Sequence, residues 1–304
     1  MGLIGLGKMG GNMRTRLRNA GIEVVGFDRN LERSDASDLA DMVAQLPAPR
    51  IVWSMLPAGK VTQDTVDAMQ QLLGRGDLLI EGGNSRWTED LRHAEQLAGA
   101  SIGYVDAGVS GGVWGLDNGY ALMVGGSPED VGRAQPIFDA LKPPGEYGFA
   151  HAGSVGAGHY AKMVHNGIEY GLMQSYAEGY ELLEATGIVE DVPAVFNSWR
   201  SGTVIRSWLL DLMSTALDAD PTLSKISGYA EDSGEGRWTL EAGIEHAVPL
   251  PALAAALFAR FSSRQDDSPT MKAVAALRNQ FGGHAIKAED PSAAARTSAE
   301  TEDR

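Results

Sequence analysis

Short apolar runs alternate with polar, helix-like stretches along the first half of the chain. The runs are Leu3-Ile4, Val24–Phe27, Ile51–Leu56, Leu78–Ile80, Tyr104-Val105 and Ala121–Val124, and Asn12–Asn19 and Val61–Leu73 lie between them with helical spacing. Short β-rich runs separated by helices predict βαβ units and a mostly parallel sheet. Past Ser154 the strand-like runs stop. Gly158–Glu184, Val192–Ser201, Val204–Leu217, Thr239–His246, Leu250–Ser262 and Thr270–Phe281 read as helices, with breaks at Asp218–Pro221 and at Pro249 and Pro251. The expectation is an α/β domain over 1–153 and an all-α domain over 154–287. Residues 288–304 hold almost no large apolar side chain and are expected to form a disordered tail.

Gly5-Leu6-Gly7-Lys8-Met9-Gly10 fits the G-x-G-x-x-G pattern between an apolar run and a helical stretch. Gly5 suits the tight turn, Gly7 lets backbone approach a pyrophosphate, and Gly10 lets helix pack on strand. The first domain is therefore expected to be Rossmann-like and to bind a dinucleotide. Only four residues precede Gly5, so the first strand is short or the coding start lies upstream. Asp28, 18 residues past Gly10, stands near the place of the acid that binds ribose hydroxyls. A carboxylate there repels a 2′-phosphate and favours NAD, whereas the adjacent Arg29 can grip that phosphate and favour NADP.

Composition narrows the partners. The 304 residues carry 40 acidic against 25 basic side chains, a net charge of −15, which argues against nucleic acid and against an anionic membrane surface. No apolar run approaches the ~20 residues of a membrane span, no signal peptide is evident, and a cytoplasmic location is expected. There is no cysteine, which excludes a thiol nucleophile and a disulfide framework. The six histidines show no metal-ligand spacing, and no metal is expected.

One helix carries the candidate chemistry. Lys162, His165, Asn166, Glu169 and Tyr170 recur at i, i+3, i+4, i+7 and i+8, a polar stripe on one face, with Met163, Ile168 and Leu172 expected to pack elsewhere. Such a stripe is often a solvated face. Here Gly158 and Gly167 permit close approach, and the stripe opens the second domain, where it can face a cleft between domains. A desolvated Lys can act as a base and a shielded Glu as an acid.

These residues resemble the catalytic helix of the decarboxylating 6-phosphogluconate dehydrogenases, in their short-chain form, within the β-hydroxyacid dehydrogenases. The similarity extends through Glu81-Gly82-Gly83-Asn84-Ser85, Ser110-Gly111-Gly112, Gly236-Arg237-Trp238-Thr239, Phe258-Ala259-Arg260 and Arg278-x-x-Phe281-Gly282-Gly283-His284. The resemblance implies Lys162 and Glu169 as catalytic base and acid. It implies Asn84, Ser110, Gly111, Gly112, His165, Asn166, Tyr170, Arg260, Arg278 and His284 as contacts to a phosphorylated sugar acid. Its cofactor set is Gly5, Leu6, Gly7, Lys8, Met9, Gly10, Asp28, Arg29, Asn30, Leu56, Pro57, Ala58 and Asn84. In the family the segment holding Arg278 and His284 reaches a neighbouring subunit, so a homodimer or homotetramer is expected. The implied reaction is oxidative decarboxylation of 6-phosphogluconate to ribulose 5-phosphate in the pentose phosphate pathway, with NAD preferred over NADP.

Two departures stand out. Asp232-Ser233-Gly234-Glu235-Gly236 lacks the lysine that the long-chain members carry in this loop, and Asp28 replaces an Asn common in NADP-using members. The rival readings are another β-hydroxyacid dehydrogenase, such as one acting on 3-hydroxyisobutyrate, and a non-catalytic dinucleotide-binding protein.

Overall fold

The computed structural model describes residues 1–287. The segment 288–304, expected to be a tail, lies outside the described residues. The first half runs β1 (Gly2–Ile4), α1 (Lys8–Asn19), β2 (Val25–Phe27), α2 (Leu39–Ala44), β3 (Ile51–Ser54), α3 (Lys60–Leu72), β4 (Leu78–Glu81), α4 (Trp87–Ala98), β5 (Gly103–Ser110), α5 (Gly115–Asn118), β6 (Ala121–Gly126), α6 (Pro128–Leu141) and β7 (Phe149–Gly153). The second half is helical: α7 (Ala157–Thr186), α8 (Val192–Trp199), α9 (Trp208–Ala219), α10 (Glu235–Glu245), α11 (Pro251–Ser262) and α12 (Pro269–Gly282).

The strands form one sheet in the order β2-β1-β3-β4-β5-β6-β7, parallel throughout except where β5 meets β6. Successive strand residues point to opposite faces. Leu3, Trp53, Leu78 and Ile80 pack with Met13, Leu17 and Phe138 of α1 and α6, while Ile4, Val52 and Leu79 pack with Met42, Val66, Met69 and Leu97 of α2, α3 and α4. Burial on both faces explains why these strands read as continuous apolar runs. The order reverses at β1, with β2 on one side and β3 on the other, so a crevice opens beyond the carboxyl ends of β1 and β3.

Three expectations need correction. β7 was absent from the sequence reading: Phe149 is its one large apolar residue, and it exists as an edge strand through backbone pairing with β6. α9 begins at Trp208 rather than Val204, because the Ser207 side chain accepts from the Leu210 amide and caps the helix there. α10 begins at Glu235 rather than Thr239, directly after Gly234 at φ 102°.

α7 joins the two halves. It packs on β5, β6 and β7 at its start and on α10 and α11 further along. Glycines permit the crossing. A Cβ on Gly108 of β5 would overlap the Lys162 Cβ, and one on Gly158 would lie 2.7 Å from the Asp106 carbonyl oxygen. Asp106 then pins the helix start, its Oδ1 accepting from the Gly156 amide at 2.6 Å and its Oδ2 from the His159 amide at 2.8 Å. The α7 N-terminus thereby gains an anionic cap borrowed from the sheet.

Candidate active site

The loop after β1 is built as its glycines demand. Gly5 turns at φ 86°, and a Cβ on Gly10 would overlap the Gly5 carbonyl oxygen. Gly7, at the start of α1, has nothing within 4 Å of a notional Cβ. No side chain caps α1 and no acid lies in its first turn, so its leading amides point into open space. That is an anion cradle fitted to a pyrophosphate. Asp28, just past β2, closes the loop from the side: its Oδ2 accepts from the Leu6 amide at 2.7 Å and its Oδ1 from the Asn30 amide at 2.9 Å. Although burial pushes the Asp28 carboxyl up, these two amides and the nearby Arg33 and Arg29 bring it below its ordinary value, and it is an anion at neutral pH.

A cavity of about 1030 Å³ connects this loop to α7. Of the expected residues, Gly7, Met9, Gly10, Leu56, Asn84, Ser110, Gly111, Gly112, Lys162, His165, Asn166 and Glu169 line it. Ile168 and Leu172, expected to pack elsewhere, line it as well and supply its apolar wall. Trp208, Leu209 and Leu212 of α9 close the far side.

Other expected residues lie beside the cavity or away from it. The Leu6 side chain belongs to the core and only its backbone faces the loop. Gly5 is buried beneath that loop, while Lys8, Arg29, Asn30, Pro57 and Ala58 are exposed and do not line the cavity. Tyr170 is buried, and its hydroxyl accepts from the Ser233 amide at 3.1 Å. The Arg260 guanidinium lies 3.5 Å from the centroid of the Tyr170 ring and donates to the Glu231 carbonyl. The loop without a lysine is therefore held from behind by arginines. Asp232 bridges Arg237 and Arg264, and the Arg237 hydrogen bond leads in drawing its carboxyl down to about 2. Arg278 and His284 are exposed at the end of α12, away from Lys162.

Lys162 donates from Nζ to Asn166 Oδ1 at 2.5 Å, and His165 Nδ1 lies 3.0 Å from the same oxygen. Burial lowers the Lys162 pKa, while the charges of Glu235 and Glu169 work in the opposite direction. Close packing of α10 on α7 sets this region. A Cβ on Gly167 would lie 2.8 Å from Thr239, one on Gly236 would lie 2.6 Å from the Tyr170 ring, and Thr239 Oγ1 donates to the Met163 carbonyl at 2.9 Å.

Two features had no counterpart among the expected site residues. Glu235 is 2 % exposed and reaches both Asn84 and Asn166. Behind the Asn84 loop lies a buried acidic cluster around His159. His159 Nδ1 is 2.8 Å from Asp90 Oδ2, Nε2 is 3.8 Å from Glu81 Oε2, and Glu81 Oε1 accepts from the Gly83 amide. Burial alone would lower the His159 pKa, but the charge and hydrogen bond of Asp90, with Glu81 and Asp106, push it up to about 10. The donor atoms of Glu81, Asp90 and His159 lie within 4.8 Å of one another, and the His159–Asp90 contact is a hydrogen bond. The signal available in the sequence was the Glu81-to-Ser85 loop itself, whose acid serves as an internal strut.

Comparison with known proteins finds two family models along the chain. Residues 1–143 match the model of the NAD binding domain of 6-phosphogluconate dehydrogenase, and 158–299 match its C-terminal domain. An NAD(+)-dependent, decarboxylating 6-phosphogluconate dehydrogenase of Haloferax volcanii is 38 % identical over 300 residues, covering 95 % of this chain and 99 % of its own. A decarboxylating 6-phosphogluconate dehydrogenase of Lactococcus lactis is 34 % identical over 88 % of this chain and 61 % of its own. Among solved structures, the Plasmodium falciparum 6-phosphogluconate dehydrogenase superposes with a TM-score of 0.81 at 26 % identity, covering 96 % of this chain and 66 % of that one. With an open anion cradle, a desolvated lysine and both family models matched, the chain belongs to the 6-phosphogluconate dehydrogenase family.

Proposed function

We propose that the protein oxidises and decarboxylates 6-phosphogluconate to ribulose 5-phosphate and carbon dioxide, with NAD as the preferred oxidant. The observation that carries this reading is the pairing of Lys162 and Glu169 on one wall of a cavity whose opposite walls are Asn84 and Ser110-Gly111-Gly112. A binding-only protein has no use for an acid–base pair in a desolvated cleft.

The fit to a dinucleotide rests on the open, uncapped α1 amides beside Gly7 and on the Asp28 carboxylate at the β2 edge. NAD, when bound, supplies a hydride acceptor. Asp28 favours NAD over NADP because its anionic carboxylate faces the position where a 2′-phosphate would lie. The NAD(+)-dependent name of the Haloferax relative agrees with this preference.

The remaining chemistry belongs to the chain. Lys162, whose pKa burial lowers from its ordinary value, takes the C3 hydroxyl proton as the alcohol is oxidised. The same group, now an ammonium, polarises the C3 carbonyl and stabilises the enediolate left when C1 departs as carbon dioxide. Glu169 gives a proton to C2, the carbon that has lost carbon dioxide, and the ketose results. Ser110, Asn84, His165 and Asn166 orient the hydroxyls. Arg260, stacked on Tyr170, provides the cation that an acidic protein needs for a phosphate.

A second copy of the chain completes the site. Met271, Val274, Leu277 and Phe281 are exposed on α12, which has no buried residue within its own chain. Docking this face on a partner brings Arg278 and His284 to the neighbouring cavity.

The reading is tested by following nicotinamide reduction and carbon dioxide release with purified protein and 6-phosphogluconate, with NAD and NADP in parallel. Coupled release with faster turnover on NAD is expected. Turnover of 3-hydroxyisobutyrate but not of 6-phosphogluconate would overturn it.

A further inference from the structure

Glu235 is a third carboxylate in the cleft, and the acid–base scheme above leaves it idle. It sits in the first turn of α10, where the helix dipole favours an anion. Its Oε1 accepts from Asn166 Nδ2 at 2.9 Å and from Asn84 Nδ2, so one oxygen ties the catalytic helix to the loop after β4. Its Oε2 is buried and has no partner among the described residues. A buried carboxylate oxygen left unpaired costs stability. Such an expense at the wall of a catalytic cavity calls for a functional return.

The hydrogen-bond polarity shows what Glu235 does. An Asn side chain has one accepting and one donating arm. With the donating arm of Asn166 on Glu235, its accepting arm must face Lys162 Nζ, as observed. Flipping the amide would set an oxygen against the carboxylate and an NH2 against the ammonium, and both contacts would repel. Glu235 thus dictates the face that Asn166 shows to the lysine, and its carboxylate lies in the same buried wall.

We propose that Glu235 is a positioning residue for Lys162: it locks the amides of Asn84 and Asn166, and its charge sustains the ammonium form of the lysine between proton uptake and decarboxylation. Burial drives Lys162 toward the neutral amine, and Glu235 is the foremost charge that opposes it, ahead of Glu169. The groups facing the ammonium are therefore Glu235 from α10, with Asn166, His165 and Glu169 from α7 itself. Without Glu235 the lysine is a ready base but a poor cation in the second half of the reaction.

This inference rests on the proposed reaction, so its test carries a readout that needs no turnover. In the full chain, the Nζ signal of 15N-lysine, assigned by its loss in Lys162→Met, is titrated in wild type, Glu235→Gln and Glu241→Gln. Glu241 is exposed on the same helix and paired with Arg86, and serves as the control. The Lys162 titration is expected to move to lower pH in Glu235→Gln and to stay in place in Glu241→Gln. With 6-phosphogluconate and NAD, the acidic limb of kcat/KM should move the same way, while kcat falls roughly tenfold or more as the ammonium is lost. Failure of wild-type turnover would sink the reaction but leave the NMR titration to judge Glu235. An unchanged titration in folded Glu235→Gln, or an equal movement in Glu241→Gln, would overturn the proposal. Should Glu235→Gln fail to fold, Glu235→Asp decides. It withdraws the charge by one methylene, so the same direction of movement is expected, and an unchanged titration overturns the proposal.

Discussion

Lys162 Nζ donates to Asn166 Oδ1, one helical turn further along α7, at 2.5 Å. The bond runs along the face of α7 that lines the cavity and fixes the amine there. Replacing the lysine by methionine keeps the stem and removes the proton carrier. Lys162→Met is expected to lose about 10²–10⁴-fold or more in kcat, with NAD affinity, measured by fluorescence titration, near that of the wild type. Substantial remaining turnover would show that another group is the base.

Asp28 is held by the Leu6 and Asn30 amides, so its charge cannot swing away from an incoming phosphate. Asp28→Asn keeps the size and one acceptor while removing that charge. The ratio of kcat/KM for NADP over NAD should rise about tenfold, the equivalent of roughly 1.4 kcal/mol of relieved repulsion. Exposed Arg29, next in the chain, becomes available to the 2′-phosphate. A ratio that stays put would mean that Asp28 does not face the ribose.

Gly108 lies where β5 passes beneath Lys162. Gly108→Ala would place a methyl on the Lys162 Cβ and 2.8 Å from the Gly158 carbonyl oxygen, atoms that cannot rotate aside. The expected cost is about 1–3 kcal/mol of stability, read by denaturant unfolding. A larger proportional loss of kcat is expected, because α7 must shift to make room.

His159 is buried and its pKa stands at about 10, above the ordinary 6.5, because Asp90, Glu81 and Asp106 outweigh the effect of burial. A group whose folded pKa is raised contributes stability that is complete below its unfolded pKa and is lost as pH rises through the folded value. His159→Gln removes the cation and strands Asp90, at a cost of about 3–5 kcal/mol near neutrality. The gap in unfolding free energy between wild type and variant should therefore narrow as pH rises from 6.5 through about 10. A constant gap would show that the imidazole is neutral in the folded protein.

Leu277 is 66 % exposed on α12, so nothing in the isolated chain depends on it. Leu277→Asp is expected to leave the fold intact, as judged by circular dichroism. It should shift the mass measured by light scattering from an oligomer to a monomer and abolish turnover. An unchanged oligomer would remove α12 from the interface.

Much of this was legible in the sequence, for identifiable reasons. Gly5, Gly7 and Gly10 answer to backbone geometry that no other residue satisfies, so their spacing transmits the loop directly. The stripe from Lys162 to Glu169 obeys helical periodicity and emerges on one cavity wall. Ile168 and Leu172 were misplaced because periodicity separates faces without saying which face meets the core. β7 escaped because its stability comes from pairing with β6, not from its side chains. Glu235 and the His159 cluster escaped for a different reason. Glu235 lies 69 residues from Asn166, and Glu81 lies 78 from His159, so each contact exists only once the chain has folded.

The 30 residues of α7 form a single rod of about 45 Å. Its first turn is clamped by the sheet through Asp106, and its middle is wedged against α10 through Gly167 and Thr239. Only Ser154–Gly156 lie between β7 and α7, so no long connector separates the half with the glycine loop from the half that carries Lys162. A jaw-like swing of one half against the other would require bending this rod. The spacing between the glycine loop and Lys162 is therefore set at folding, before any ligand arrives. The Gly111-Gly112 turn and the start of α9 line the cavity as separate short segments outside this rod.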